Sequence, residues 1–426
     1  MITALPKTSI PNLNPLTIKL GLENITTLMD RLGNPHETFK SVHIAGTNGK
    51  GSTAAFISEI LIESGYKTAL YTSPHLERFN ERIKVDNVEI SDHRLKKIYA
   101  EVQAAADQFP PLSPTYFEFA TAVAFLYFSS VKVEIAVLET GLGGRLDATN
   151  VVIPEISVIT PISMDHSDYL GDTLEDIAFE KSGIIKDSVP VVSGRQTDEV
   201  RQIIEKRAFD KKAILHLRGR DFDFVSSGER CINYRAPSGI LDNIELSMIA
   251  EYQNENAALA VAVIKTLKKS GINISDNVIR SGIGKTVVPG RFEIVCADPY
   301  IVLDCAHNPG GAKKLVDSLD SFFGNTDGIF VVGIMNDKDV KGILLELAKK
   351  AQKIILTKPD TERAFDPCCK VHHTGDDKVE RNKIIIPDIK EATSHGIRLA
   401  EENRTFCTIT GSLYTVAEAT KILRTK

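Results

Sequence analysis

Three observations predict an α/β fold in two parts: a large parallel-sheet domain carrying a small antiparallel meander, and a smaller Rossmann-like C-terminal domain. Short β-branched runs alternate with helix-like segments along most of the chain, the pattern of a parallel sheet covered by helices. Between Leu217 and Ser247 that alternation gives way to alternating residues and turn signals. The 426 residues exceed what one ordinary core accommodates.

In the first domain the candidate strands are Val42–Ala45, Thr68–Thr72, Val133–Glu139, Ile156–Thr160 and Val189–Ser193. The candidate helices are Ser52–Ser64, Ser91–Asp107, Thr115–Ser129 and Thr173–Ser182. Asp172 with Glu175 reads as an N-cap and capping box, and Gly183 as a helix stop. The meander is marked by Ser226-Ser227-Gly228 and Ala236-Pro237-Ser238-Gly239, and a helix near Gln253–Ser270 follows it. Val288-Pro289-Gly290-Arg291 then breaks the pattern, which sets domains of 1–292 and 293–426. The second has strand candidates Tyr300–Asp304, Ile329–Gly333, Lys353–Thr357, Lys383–Ile386 and Phe406–Thr410. Its helix candidates are Ala312–Leu319, Val340–Lys350, Ile389–Glu402 and Tyr414–Leu423, a doubly wound pattern.

The most informative stretch is Gly46-Thr47-Asn48-Gly49-Lys50-Gly51-Ser52, between the first strand and the first helix. A glycine-rich turn there aims backbone N–H groups at an anion, and the helix N-terminus adds its positive dipole end. Lys50 supplies a full charge for a nucleotide's phosphates, so this is read as the P-loop of an ATPase domain. The common form places a Mg²⁺-binding hydroxyl directly after the lysine. Here Gly51 stands in that place, the hydroxyl comes one residue late at Ser52, and Ile44 replaces the usual first glycine. Other residues must therefore hold the metal.

Composition excludes several classes. A net charge of −5 argues against a nucleic-acid surface. No run of 18 apolar residues is present, so no membrane span is expected. The N-terminal stretch has neither a signal-peptide core nor an Arg-rich transit pattern, which points to the cytoplasm. Six scattered cysteines are expected to be reduced thiols. The Cys368-Cys369 and His372-His373 segment fits no standard zinc spacing and reads as a polar surface insertion.

Polar clusters follow the strand C-termini, where open α/β sheets place ligands. Thr72-Ser73-Pro74-His75-Leu76 follows the second strand. Glu139 ends the third and leads into Thr140–Asn150, and Met164-Asp165-His166-Ser167 follows the fourth. Each alone is weak, since a strand-end carboxylate is often only a cap and a lone histidine is more often structural. Together with a phosphate loop they make Ser73, Glu139 and His166 the candidate Mg²⁺ ligands, the histidine being an uncommon one for a hard cation.

These runs, with Arg78-Phe79-Asn80-Glu81-Arg82-Ile83 and Asp304-Cys305-Ala306-His307-Asn308-Pro309, occur in an order that closely resembles folylpolyglutamate synthase and its bifunctional form with dihydrofolate synthase, in the Mur ligase superfamily. The resemblance covers nearly the whole chain. It implies an ATP-dependent amide ligase that phosphorylates a pteroate or folate carboxylate and joins it to L-glutamate. It further implies that Thr47, Asn48, Gly49, Lys50, Gly51, Ser52, Asn256, Arg291 and Asp304 contact ATP. Ser73 and Glu139 would hold one Mg²⁺, and Glu139 with His166 a second. Lys181 matches a family lysine that becomes carbamylated, although spacing alone favours a lysine complementing its helix dipole. His307 and Ser412 would lie towards glutamate. Thr115, Phe117, Arg145, Leu146 and Ala148 would line the pterin pocket, although Phe117 equally suits a core. The partners implied are L-glutamate with dihydropteroate or a reduced folate, acting on a monomer.

Val288 stands where the family often has an aromatic, Cys305 where it often has a small residue, and tryptophan is absent. None of these touches the phosphate chemistry. The competing readings are another Mur-type amide ligase, against which Gly51 argues, and a nucleotide-dependent regulatory ATPase.

Overall fold

The computed structural model describes residues 17–228, 230–237, 239–368 and 375–424. Cys369, His372 and His373 lie outside the described residues. The chain divides into two compact units. The first comprises residues 1–163, 167–247 and 255–286, and the second residues 164–166, 248–254 and 287–426.

The first unit is built on an eight-stranded sheet of β1 (Lys40–Ala45), β2 (Thr68–Tyr71), β3 (Ile83–Val85), β4 (Val88–Glu89), β5 (Ile135–Glu139), β6 (Ile156–Ile159), β7 (Val191–Ser193) and β8 (Leu215–Leu217). The spatial order is β4-β3-β2-β5-β1-β6-β7-β8. The strands from β2 to β8 in that order pair in parallel, and an antiparallel hairpin, β3 with β4, closes one edge. All residues of β2, β5 and β6 are buried, as parallel strands covered on both faces must be. That continuous burial is why these strands read as unbroken apolar runs.

Register sets the site. Ile44 lies opposite Glu139, Ala45 opposite Ile159, and Tyr71 opposite Leu138. The loops that leave β1, β2, β5 and β6 therefore emerge side by side on one sheet edge. The three-stranded meander of β9 (Asp223–Ser226), β10 (Cys231–Ala236) and β11 (Gly239–Glu245) forms a separate antiparallel sheet.

The second unit has a six-stranded sheet of β12 (Glu293–Ala297), β13 (Tyr300–Leu303), β14 (Gly328–Val332), β15 (Ala351–Leu356), β16 (Lys383–Ile385) and β17 (Cys407–Thr410). Its order is β12-β13-β17-β14-β15-β16. All its pairs are parallel except the β12–β13 hairpin at the edge.

The helices differ from expectation mostly by one or two residues, the first beginning at Lys50 rather than Ser52, but the one expected over Ala312–Leu319 runs from Pro309 to Phe323. The expected Asp172–Glu175 capping box is not formed. Thr173 is the N-cap, and its hydroxyl accepts from the Asp176 amide, because the helix starts one residue later. Gly183 does follow the helix, but in right-handed geometry. Its missing side chain is needed because a Cβ would lie 2.3 Å from that of Arg145. The expected meander began at Leu217, which instead ends β8 on the large parallel sheet. The helices Glu23–Arg31, Asp198–Asp210 and Asp276–Lys285 are additional to those expected from the sequence.

The N-terminal helix is tied down by a long-range cap. The Arg31 guanidinium donates to the carbonyls of Ala105, Ala106, Gln108 and Pro110, at and beyond the end of the helix Asp92–Ala106. Carbonyls at a helix end have no partners within their own helix. Arg31→Ala is expected to lower unfolding stability by on the order of 2 kcal/mol, read from urea denaturation. An unchanged midpoint would show that water satisfies the carbonyls equally well.

Candidate active site

In the first unit the site is assembled around Gly46–Ser52. Gly46 (φ +146°) and Gly49 (φ +88°) take conformations that other residues rarely adopt. A Cβ on Gly46 would lie 1.9 Å from Thr160 Oγ1, and one on Gly49 would lie 2.4 Å from Asn256 Oδ1. Both glycines are thus demanded by backbone angle and by close neighbours, and Asn256 lies against the loop. The Thr47 and Asn48 amides bond to the Pro161 carbonyl, while Thr47 Oγ1 exchanges hydrogen bonds with the Ser163 backbone. These contacts pin the loop. The first bond of the helix ladder runs from Thr53 N–H to Gly49 C=O. The amides of Lys50, Gly51 and Ser52 precede that ladder, which is the anion-binding geometry of a helix N-terminus.

Glu139 ends β5 beside this loop and is almost fully buried. Its Oε1 lies 4.0 Å from Lys50 Nζ, and its Oε2 accepts the Ser73 amide at 3.1 Å. A Cβ on Gly51 would lie 3.5 Å from that same Oε2, so the residue that breaks the common loop pattern borders the carboxylate. Among the described residues, no three or more His, Cys, Asp or Glu side chains are gathered into a metal-holding group. The donors present suit Mg²⁺ nonetheless. It takes hard oxygen ligands and is usually held by one or two carboxylates together with substrate phosphates. The buried Glu139 carboxylate and the Ser73 hydroxyl are that kind of partial set.

Lys181 lies in the last turn of its helix, as expected, but its side chain is directed elsewhere. It is buried, and its Nζ donates to the Gly46 carbonyl at 2.9 Å, so the ammonium reaches the phosphate loop itself.

The Thr140–Asn150 stretch is organised by Asp147, which the sequence alone does not single out. Its carboxylate accepts from the Gly141, Leu142 and Thr149 amides and from the Thr149 hydroxyl. Burial pushes its pKa up, and these four donors oppose the shift. A turn-forming Asp two residues before a Thr was the available signal. Thr149 in turn meets His43 Nε2 at 2.8 Å, and burial holds the His43 imidazole down to about 3. Arg145 pairs with Glu180 at 2.7 Å and lies over the Phe179 ring. Phe117 lies against Gly141, where a Cβ would be 2.5 Å from its Cζ. Leu146 is half-buried, and Ala148 belongs to the core. Thr115 is the N-cap of the helix Tyr116–Ser130, in a reciprocal box with Glu118.

In the second unit, Asp165 is the hub. Its carboxylate pairs with Lys338 at 2.7 Å, accepts from Asn308 Nδ2 at 3.0 Å, and lies 3.6 Å from His307 Nε2. Burial alone would raise its pKa, but His307, His166 and Lys338 outweigh it and hold the carboxyl far below the usual range. His307 Nδ1 donates to the Cys305 carbonyl. The backbone of His166 is left-handed (φ +55°), and its Nε2 lies 3.3 Å from Lys338 Nζ. Sequence reasoning missed Lys338, although the run Met335-Asn336-Asp337-Lys338 closely follows a parallel strand. Asp304, just past β13, accepts from the Tyr252 hydroxyl and from the Phe292 and Ala306 amides, and the Arg291 charge acts on it. Ser412 is committed internally. Thr415 donates its hydroxyl proton to Gly333, so it accepts from Ser412, whose oxygen takes the Thr415 amide. The described cysteines are all free thiols, and Cys368 is exposed.

A lysine-bearing loop at a helix N-terminus on the edge of a parallel sheet is a nucleotide-phosphate site, and a second α/β unit accompanies it in the same chain. Residues 44–264 match the Mur ligase middle domain, and residues 290–413 match the Mur ligase glutamate ligase domain. The chain is 36% identical to the dihydrofolate synthase/folylpolyglutamate synthase of Bacillus subtilis, over 96% of each sequence. A structure of Mycobacterium tuberculosis folylpolyglutamate synthase complexed with ADP and AMPPCP superposes with a TM-score of 0.87 at 31% identity, covering 95% of both chains. One of E. coli FolC in complex with DHPP and ADP gives 0.87 at 32%, covering 97% of this chain and 95% of that one. The chain belongs to the dihydrofolate synthase/folylpolyglutamate synthase family of Mur ligases.

Two glycines with nearly equal φ separate backbone strain from steric crowding. A Cβ on Gly65 (φ +87°) would meet no atom within 4 Å, whereas one on Gly49 (φ +88°) would strike Asn256. Gly65→Ala is expected to cost about 1 kcal/mol of stability and leave ADP affinity unchanged. Gly49→Ala should weaken ADP binding by more than roughly tenfold as well, since Asn256 must move. Calorimetric titration with ADP compares the two, and equal affinities would refute the crowding argument.

Proposed function

We propose that the enzyme joins L-glutamate to dihydropteroate, to reduced folates, or to both, through an acyl phosphate. The observation that carries this reading is the placement of Lys50 and the buried Glu139 carboxylate beside the N-terminus of the helix that follows the loop. That combination suits phosphoryl transfer rather than nucleotide storage, because it holds the phosphates and also provides an oxygen ligand for their counter-ion.

An oxygen of the folate or pteroate carboxylate attacks the γ-phosphorus of ATP, and ADP leaves. The glutamate α-amine then attacks the acyl carbon, phosphate departs with the C–O bond electrons, and the amine loses a proton. Both reactants of the first step are anions, so positive charge must screen their approach. Lys50 and the amides of residues 50–52 serve that need. Bound Mg²⁺ would offset charge on the transferred phosphoryl group, with Ser73 and Glu139 as ligands. His166 is kept as a further metal ligand, and an ion there requires the neighbouring Lys338 ammonium to withdraw. Asn256, Arg291 and Asp304 are assigned to the nucleotide and His307 to the glutamate side. Phe117, Leu146 and Ala148 are assigned to the pterin. Thr115, Arg145 and Ser412 also have local structural roles, so substrate contact would be a second use of each side chain. The enzyme is expected to act as a monomer in the cytoplasm.

Three acceptors decide the reaction. Glutamate-dependent ADP release with dihydropteroate or tetrahydrofolate supports the reading, and release with a UDP-muramoyl acceptor alone overturns it. ATP turnover indifferent to every acceptor would favour a regulatory ATPase instead. Lys50→Ala is expected to lower kcat by at least about a hundredfold, and near-normal turnover would remove it from the mechanism.

Lys181 is assigned as a carbamate. Conversion would exchange the ammonium for an anionic oxygen donor next to the loop, which a metal would stabilise. Lys181→Ala is expected to lose most activity and regain part of it with added formate or acetate. Intact-protein mass spectrometry should show carbon dioxide on the wild type at native pH. No adduct and no rescue would leave Lys181 as a cation bracing Gly46.

A further inference from the structure

Tyr252 lies in the first turn of the helix Glu251–Leu267 and packs against the hydrophobic core of the second unit. Its hydroxyl donates to Asp304 Oδ2 at 2.6 Å. The Phe292 amide donates to that same oxygen at 2.9 Å, and the Ala306 amide to Oδ1 at 2.8 Å. One carboxylate thus joins a helix start, the Arg291 turn and the loop after β13.

The chemistry of each group fits this arrangement. Burial and the adjacent carboxylate push the Tyr252 phenol well up, so it remains a donor at any working pH. Burial also pushes Asp304 up, while the phenol, Arg291 and the two amides favour its ionised form. Phe292 is a bulky residue with φ +51°, a backbone state that persists only where surrounding bonds over-determine it. The hydrogen bond from its amide to Asp304 Oδ2 is one such restraint, and the Tyr252 hydroxyl donates to the same oxygen.

We propose that Tyr252 is a positioning residue for nucleotide binding: its hydroxyl fixes the Asp304 carboxylate and, through the shared oxygen, the Arg291–Phe292 turn. This rests on the assignment of Asp304 and Arg291 to the nucleotide, which is tested in the same experiment.

Full-length wild type, Tyr252→Phe, Asp304→Asn and the double variant are titrated with ADP by calorimetry. Tyr252→Phe keeps the packed ring and removes only the donor. It is expected to weaken ADP binding about tenfold, or about 1.4 kcal/mol. The KM for ATP should rise by a similar factor, with the KM for glutamate unchanged. The double variant should bind no more weakly than Asp304→Asn, because the two act as one unit. If Asp304→Asn weakens ADP and Tyr252→Phe does not, the positioning role is overturned and the nucleotide assignment stands. If Asp304→Asn binds ADP like the wild type, both fall. Additive losses, or an equal rise in the KM of every substrate, would make Tyr252 a structural residue only.

Discussion

The parallel register of β1 between β5 and β6 is the constraint on which the rest of the first unit depends. It brings the ends of three strands level, so that Gly46, Glu139 and Thr160 emerge together. A slip of one residue would turn every buried strand side chain to the opposite face, and it would also part the phosphate loop from its carboxylate. Because all residues of β5 and β6 are buried, hydrophobic packing fixes the register, and the chemistry inherits that precision.

The loop shows how little space the site allows. Gly46 faces Thr160, Gly49 faces Asn256 and Gly51 borders Glu139. Gly46 and Gly49 make room for neighbours from different elements, whereas a Cβ on Gly51 would meet Glu139 only at ordinary contact distance. Lys181 adds a second cation by donating to the Gly46 carbonyl. In the second unit a comparable economy holds at Asp165 and Asp304, each a buried carboxylate satisfied by several donors. Such groups are costly when isolated and rigid when fully partnered.

Much of this was legible in the chain. Glycines, one lysine and a strand-to-helix switch identified the loop, since few other uses require that composition. Strand-end acids and hydroxyls pointed to one sheet edge, because parallel sheets place ligands there. What escaped were groups whose meaning depends on distant partners. Lys338 reads as one more surface lysine until Asp165, 173 residues away in sequence, takes its charge. Tyr252 reads as an ordinary helix residue until Asp304 accepts its hydroxyl. Asp172 read as the helix cap, but the backbone enters the helix one residue later and Thr173 takes that place.

By itself, the sequence determined the α/β class, the glycine-rich lysine loop and the family. These follow from local composition and from the order of short motifs. Only the tertiary structure decided that Lys181 reaches Gly46 rather than its own helix dipole, that Ser412 is spent within its cap, and that Asp147 and Asp165 organise their surroundings. The physical reason is that hydrogen bonds and ion pairs depend on distances of about 3 Å, and chain order does not set distances between residues far apart in sequence.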